Sequence, residues 1–374
     1  METRHRLVFS DARNIDSISS DSINLVVTSP PYPMIQMWDN LFSMLSADAK
    51  VSLAKGDGNA TFEAMHIELD KVWKELYRVL KPGSFACINI GDATRTIGGR
   101  FQLYPNHARI VSAFRQIGFD TLPVILWRKQ TNAPNKFMGS GMLPAGAYVT
   151  LEHEYILVFR KGAKRDFGST SEKEARMCSS FFWEERNKWF SDVWDFKGTT
   201  QGMNNVELRR RSAAFPLELA YRLINMYSLY GETVLDPFLG TGTTALAAIA
   251  CARNSVGVEI EKEFCSLILD QEKEFVQAAN EILSARILAH NAFVKARRIS
   301  NGGLKYVNSY HGFPVMTRQE VGIRLHRIVD IHIAGETETA AEYESVGRLA
   351  DNESSSREIA TAKKVGSHQL FLGF

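Results

Sequence analysis

Residues 233 to 259 constrain the fold more than any other stretch of this chain. Thr233-Val234-Leu235-Asp236 is a short apolar run that closes on a carboxylate, and Pro237-Phe238-Leu239-Gly240-Thr241-Gly242 follows as a glycine-rich turn. Thr243-Thr244-Ala245-Leu246-Ala247-Ala248-Ile249-Ala250 has the composition of a helix, and Ser255-Val256-Gly257-Val258-Glu259 is a second apolar run ending in a carboxylate. Strand, glycine turn, helix and strand in that order make a βαβ unit, whose two strands lie parallel in one sheet. Glycine lets the backbone approach a ligand closely. Thr243 or Thr244 is placed to cap the helix, whose N-terminus favours an anion. A carboxylate such as Glu259 at the end of the second strand suits the two hydroxyls of a ribose. An ordinary βαβ unit with a capped helix shares the outline; Asp236 and Glu259 at the strand ends point to a nucleoside cofactor.

The same alternation recurs upstream. Ile23-Asn24-Leu25-Val26-Val27 is apolar enough for a buried strand. From Phe62 to Leu80, the residues Met65, Leu69, Val72, Trp73, Leu76 and Leu80 form one helical stripe, which Lys81-Pro82-Gly83 stops before the strand-like Ser84 to Ile90. Pro105 to Ile117 repeats the helical pattern, with strands expected at Pro123 to Trp127 and Leu151 to Phe159. Helices alternating with apolar strands predict an α/β fold, a mainly parallel sheet covered on both faces. His66, His107 and His153 fall in or near these elements and read as packed or surface histidines.

Directly after the run at residues 23 to 27 stands Thr28-Ser29-Pro30-Pro31-Tyr32. The prolines fix φ near −65° and carry no N–H, so their carbonyls point in set directions. Ser29 offers a hydroxyl and a carbonyl as acceptors, and Tyr32 offers a flat face. Such a loop can hold an exocyclic amine and the plane of its ring together. Taken alone, the pentapeptide also has the plainer reading of a Pro-rich turn after a strand, which the loop's chemistry outweighs.

The two elements together resemble the amino-directed DNA methyltransferases, in the circularly permuted arrangement called the beta class. In that family a Ser-Pro-Pro-Tyr or Asp-Pro-Pro-Tyr catalytic element precedes the cofactor element, as Ser29, Pro30, Pro31 and Tyr32 do here. The resemblance implies a Rossmann-like, S-adenosylmethionine-dependent methyltransferase fold with a seven-stranded, mainly parallel sheet, helices on both faces and a small target-recognition region. It places Asp11, in Ser10-Asp11-Ala12, at the adenine end of S-adenosylmethionine. Asp236, Phe238, Gly240, Gly242 and Thr243 would lie on the methionine side, and Glu259 at the ribose. Ala214-Phe215-Pro216, with a helix from Leu217 to Tyr230, resembles the element preceding the cofactor loop. The family often has His-Pro shortly before that Phe-Pro, where this chain has Arg211-Ser212.

Other chemistries fit less well. Carbon-5 methylation of cytosine needs an attacking thiolate, usually in a Pro-Cys pair, and the chain has no such dipeptide. Its four cysteines are scattered; Cys87, Cys251 and Cys265 sit among apolar neighbours, and Cys178 completes no metal-ligand spacing. No metal is expected. No apolar run approaches the roughly 18 residues of a membrane span, and the N-terminus has no signal-peptide core, which predicts a cytoplasmic protein.

The net charge is only +2, so basic groups must be sought locally. Residues 120 to 212 hold 15 Lys/Arg against 11 Asp/Glu, clustered at Arg128-Lys129, Arg160-Lys161, Lys164-Arg165 and Arg209-Arg210-Arg211. Aromatics interleave with charges from Phe181 to Phe190. Lysine and arginine near phosphates supply most non-specific affinity for nucleic acid, so this region reads as a DNA interface, or as a charged face over buried aromatics. Thr131, Asn132, Asn135 and Lys136 are further polar candidates, and Trp38 and Asp39 are placed to line a base pocket. Met34 to Met37 reads as core or lid.

The expected organisation is a catalytic part at 1–161, a target-recognition region at 162–208, a cofactor part at 209–290 and an extension at 291–374. In that extension the acidic Glu336 to Ser356, with Asp351 to Ser356 as a flexible stretch, and the apolar Gln369 to Phe374 suggest no role. The implied function is transfer of a methyl group to the N4 amine of a flipped cytosine in double-stranded DNA. Adenine N6, or an RNA or protein amide, is the alternative acceptor. The implied partners are DNA and a cognate restriction endonuclease, with the protein a monomer or homodimer.

Overall fold

The computed structural model describes residues 1–129, 138–198 and 215–348. The polar candidates between Gln130 and Lys136, the cluster Arg209–Arg211 with Ser212, and the stretches Asp351 to Ser356 and Gln369 to Phe374 lie outside the described residues. The chain forms two compact units. One comprises Ser10–Lys164 and Ser191–Pro216, the other Met1–Phe9, Arg165–Phe190 and Leu217–Phe374.

In the first unit the strand Ile23–Thr28 is buried along its whole length and pairs in parallel with Leu80–Ile90. The helix Gly58–Val79 connects them, and Met65, Leu69, Val72, Trp73, Leu76 and Val79 on its inner stripe are buried. Each such side chain contributes roughly 1.5–3 kcal/mol by leaving water. The helix begins four residues before the apolar pattern does, because the Asp57 carboxylate caps it by accepting from the Ala60 N–H at 3.0 Å. Lys81-Pro82-Gly83 ends the helix but does not delay the strand. Ile23 pairs with Leu80 and Leu25 with Phe85, so the four residues Lys81 to Ser84 bulge from the ladder opposite Asn24, with Gly83 at φ +81°.

His153–Lys161 then lies antiparallel to Leu80–Ile90, and Ile125–Arg128 antiparallel to it, with Val193–Asp195 parallel at the edge. A mainly parallel sheet leaves room for these antiparallel neighbours. The link from Ile125–Arg128 to His153–Lys161 contains no described helix, and antiparallel neighbours need no crossover. The helix Asn106–Ile117 closes on Gly118 at φ +115° and stacks Phe114 on Phe159, ring centres 4.0 Å apart.

In the second unit Thr233–Asp236, Asn254–Glu259 and Glu2–Phe9 pair in parallel, in that order. The hairpin of His326–Gly335 and Glu338–Ser345 continues this sheet antiparallel to Glu2–Phe9. With the short Phe119–Thr121 of the first unit, the strands named for the two units number eleven against the expected seven, and this hairpin supplies two of the four extra.

The helix Val276–Asn301 runs unbroken through residue 290, so no break separates a C-terminal extension there. Within the described part of residues 162–208, Arg165–Phe190 belongs to one unit and the residues from Ser191 belong to the other. Phe182 packs with Phe313, Val315, Ile323 and Leu325 in one core cluster, so the C-terminal segment completes the packing of this region.

Candidate active site

The Ser-Pro-Pro-Tyr loop leaves the buried strand at Thr28, and Tyr32 is held at its hydroxyl from three directions. The Tyr32 Oη–H donates to Glu154 Oε2 at 2.9 Å, while Tyr32 Oη accepts from Asn89 Nδ2 at 2.9 Å and from Ser29 Oγ at 3.0 Å. Asn89 Nδ2 also donates to Glu154 Oε2 at 2.6 Å, and Lys129 forms an ion pair with Glu154. Asn89 stands near the end of Leu80–Ile90 and Glu154 near the start of the adjacent antiparallel strand, so sheet register brings them together. Burial pushes the Tyr32 phenol well above its ordinary range, and the Glu154 charge pushes it further. Behind the ring is Gly91, where a Cβ would stand 3.1 Å from Tyr32 Cε2 and 3.3 Å from Glu154 Cγ.

The rest of the loop is anchored by its neighbours. Asn106 Nδ2 donates to the carbonyls of Pro33 (3.1 Å) and Gly91 (2.9 Å), and its Oδ1 pairs with buried His66 at 3.0 Å. His66 and His107 are packed, the latter bonded to Asp92 and stacked on Tyr155; His153 stands edge-on to the same ring. Met34 is core, as one reading of residues 34 to 37 held, and takes φ +69°; Met37 is exposed. Asp39 is held by Arg95, which donates to both its oxygens at 2.7 and 2.6 Å.

Asp11 lies in the same unit with its carboxylate forked onto Arg13, Nε at 2.9 Å and Nη2 at 2.6 Å from Oδ2, and Arg13 reaches on to Glu68. Burial pushes the Asp11 carboxyl upward, but hydrogen bonds and charge from Arg13 hold it below the usual range.

In the second unit the glycine turn has the expected frame. Asp236 is buried; its Oδ1 accepts from the Phe238 N–H at 3.0 Å and its Oδ2 from the Thr244 hydroxyl at 2.6 Å. Thr244 therefore braces the turn instead of capping the helix Thr243–Ala250, whose N-cap is Gly242 at φ +88°. Glu259 Oε2 accepts from the Gly240 N–H at 2.8 Å, and its Oε1 from the N–H groups of Ile260 (2.9 Å) and Glu261 (3.0 Å). Burial raises the Glu259 carboxyl, and these backbone donors oppose the rise. Gly240 takes φ +54°, and a Cβ there would meet nothing nearer than the Phe238 carbonyl at 4.0 Å. An open glycine face between two braced carboxylates fits a nucleoside that carries a cationic group.

The basic clusters are largely internally paired. Arg160 bonds Asp120 at 2.8 Å, Lys161 bonds Asp21 at 2.7 Å, Arg128 pairs with Asp195 and Arg165 with Glu232. Among the interleaved aromatics Phe182 and Trp189 are buried, Phe181 and Trp183 half-buried and Phe190 exposed, so only part of that stretch is core. Cys87 and Cys251 are buried as expected, Cys265 only partly.

Sequence reasoning missed Asn89 and Glu154, and read Lys129 as part of a basic cluster where it pairs with Glu154. The available signal was a polar residue at the end of each of two otherwise apolar strands, the position from which a sheet serves a ligand.

This combination of an α/β fold, a braced Ser-Pro-Pro-Tyr loop and a carboxylate-framed glycine turn defines a group-transfer enzyme of the nucleoside-cofactor kind. A family model described as DNA methylase, of the N6/N4 type, matches residues 23–270, and the chain belongs to this family. It is 52% identical over 328 residues to the type II methyltransferase M.MthZI of Methanothermobacter thermautotrophicus, covering 87% of this chain and 91% of the relative. It is 50% identical to the type II methyltransferase M.MjaI of Methanocaldococcus jannaschii, covering 71% of this chain and 90% of the relative. Among solved structures, a DNA modification methylase of Thermus thermophilus described as putative, in complex with S-adenosyl-L-methionine, is similar with TM-score 0.55. It is 34% identical and covers 71% of this chain and 94% of that one.

Proposed function

We propose that this DNA methyltransferase transfers a methyl group from S-adenosylmethionine to the N4 amine of a cytosine flipped out of duplex DNA, as the modification enzyme of a type II restriction-modification system. The observation that carries this reading is Ser29 at the head of a Pro-Pro-Tyr loop whose tyrosine is fixed by Asn89 and Glu154. An aromatic amine is a poor nucleophile because its lone pair is delocalised into the ring. Ser29 Oγ donates its one hydrogen to Tyr32, which leaves its lone pairs to accept from an amine N–H. The Pro30 carbonyl takes the other N–H, the two contacts localise the nitrogen lone pair, and the Tyr32 face holds the base plane. Serine at this place is the family tendency for cytosine N4, as aspartate is for adenine N6.

When bound, S-adenosylmethionine supplies an electrophilic methyl group. Asp236, Phe238, Gly240, Gly242, Thr243 and Glu259 are the residues to hold it, with Asp11 at its adenine end. No cysteine nucleophile is needed, and burial pushes the Cys251 thiol up to about 12. Orientation of amine and methyl supplies roughly 7–11 kcal/mol in favourable cases, and flipping the base costs a few. Arg209 to Arg211 contact DNA phosphate in this reading, the enzyme works in the cytoplasm, and a restriction endonuclease of the same specificity accompanies it.

The test is incubation with S-adenosylmethionine and unmodified DNA, then mass spectrometry of the nucleosides. N4-methylcytosine is the expected product. N6-methyladenine would overturn the reading of Ser29, and unmodified DNA of varied sequence would turn attention to RNA and protein amides. Ser29→Ala and Tyr32→Ala are each expected to abolish turnover while cofactor affinity stays near wild type.

A further inference from the structure

Methylation of an exocyclic amine leaves the nitrogen with one proton too many, and that proton needs an acceptor. The hydrogen bonds around Tyr32 run in one direction. An ionised carboxylate can only accept, so the Tyr32 hydrogen is committed to Glu154 Oε2 at 2.9 Å. Asn89 Nδ2 can only donate, and it fills one acceptor position on Tyr32 Oη at 2.9 Å. The Ser29 hydrogen fills the other at 3.0 Å. The amide of Asn89 cannot be turned over, since Oδ1 would then face the Glu154 carboxylate that Nδ2 now contacts at 2.6 Å. The order Ser29 to Tyr32 to Glu154 is therefore fixed, and its inner end is a buried carboxylate paired with Lys129.

We infer that Glu154 is the terminal proton acceptor of the reaction, reached from the amine through Ser29 and Tyr32. The inference rests on the reading of Ser29 as the amine's partner. In the transfer the amine lone pair forms the nitrogen–carbon bond, and the carbon–sulfur pair returns to sulfur. One N–H bond then breaks with its electrons staying on nitrogen. Ser29 Oγ takes that proton and passes its own to Tyr32 Oη, and Tyr32 passes its own to Glu154 Oε2. The serine and the tyrosine end unchanged, Glu154 ends neutral, and it later loses the proton to solvent. The phenol is held far above its ordinary range, so Tyr32 hands on a proton as it receives one and never stands as a phenolate. Glu154 acts through two other side chains and touches neither base nor cofactor.

Glu154→Gln tests this, because the amide keeps the size and the contact to Tyr32 and loses only the basicity. Loss of an acid–base partner costs about 10²-fold or more in single-turnover rate. That drop is expected with DNA and cofactor dissociation constants within about twofold of wild type, whereas a merely structural role would move the affinities and the rate together. Tyr32→Phe keeps the ring and cuts the chain in the middle, so the double variant is expected to be no slower than the slower single one. In the free protein, the Tyr32 phenol carbon followed by NMR is expected to titrate lower in Glu154→Gln, since the carboxylate charge is gone. A Glu154→Gln rate near wild type, additive losses in the double variant, or an unmoved Tyr32 titration would each overturn the inference. A different methylated base from the wild-type enzyme would instead overturn the reading of Ser29, and the relay would remain testable on that product.

Discussion

Arg286 grips Glu185 at two points, Nε to Oε1 at 2.5 Å and Nη2 to Oε2 at 2.8 Å, and both side chains are buried. The pair joins the helix Trp183–Trp189 to the long helix Val276–Asn301, about a hundred residues on in the chain. A stretch with the composition of a DNA-reading surface is thereby bound into the core of one unit.

Arg286→Ala would strand the Glu185 carboxylate in a dry site. Removing one partner of a buried pair costs about 3–5 kcal/mol, which chemical denaturation would show as a lowered midpoint at unchanged slope. An unmoved midpoint would mean that the pair is solvated in solution.

Glu272 is fully buried, accepts from the Thr339 hydroxyl at 2.6 Å through Oε2, and has no partner at Oε1 among the described residues. Burial pushes its carboxyl from the ordinary 4.5 up to about 7, against the pull of Thr339. Folding thus favours the protonated form. The stabilising contribution is full below pH 4.5 and is lost as pH rises through 7. Glu272→Gln is expected to be more stable than wild type above pH 7, by about 3 kcal/mol, with the gap closing below pH 5. Melting temperatures across that range give the comparison, and a constant gap would contradict it.

Gly91→Ala would set a methyl group 3.1 Å from the Tyr32 ring and 3.3 Å from Glu154, tight enough to move both by a few tenths of an ångström. Turnover is expected to fall by about tenfold or more, since misplacement of reacting groups is costly, with cofactor affinity unchanged. Steady-state kinetics beside calorimetric cofactor binding separates the two.

Glu259→Gln replaces an acceptor of three backbone N–H groups with a side chain that offers only one oxygen. Cofactor dissociation is expected to quicken, weakening affinity by about tenfold, or about 1.4 kcal/mol. Turnover at saturating cofactor should largely recover. Unchanged affinity in a binding titration would remove Glu259 from the cofactor site.

Much of the frame was legible because local rules wrote it. The helix Gly58–Val79 and the strands Ile23–Thr28, Thr233–Asp236 and Asn254–Glu259 lie where periodicity and apolar runs put them, within a few residues. The C-terminal hairpin was illegible for the opposite reason. His326–Gly335 alternates buried and exposed residues only loosely, and its place is set by pairing through Glu338–Ser345 to a strand at the other end of the chain.

The sequence by itself determined the α/β class, the glycine turn with its two carboxylates and the Ser-Pro-Pro-Tyr loop, because these depend on residues adjacent along the chain. Tertiary structure alone decided that Asn89, Glu154 and Lys129 gather around the Tyr32 hydroxyl. The physical reason is that a side chain's partner across a sheet is fixed by strand order and register. Those follow from how whole strands bury their apolar faces, and no local pattern of residues encodes them.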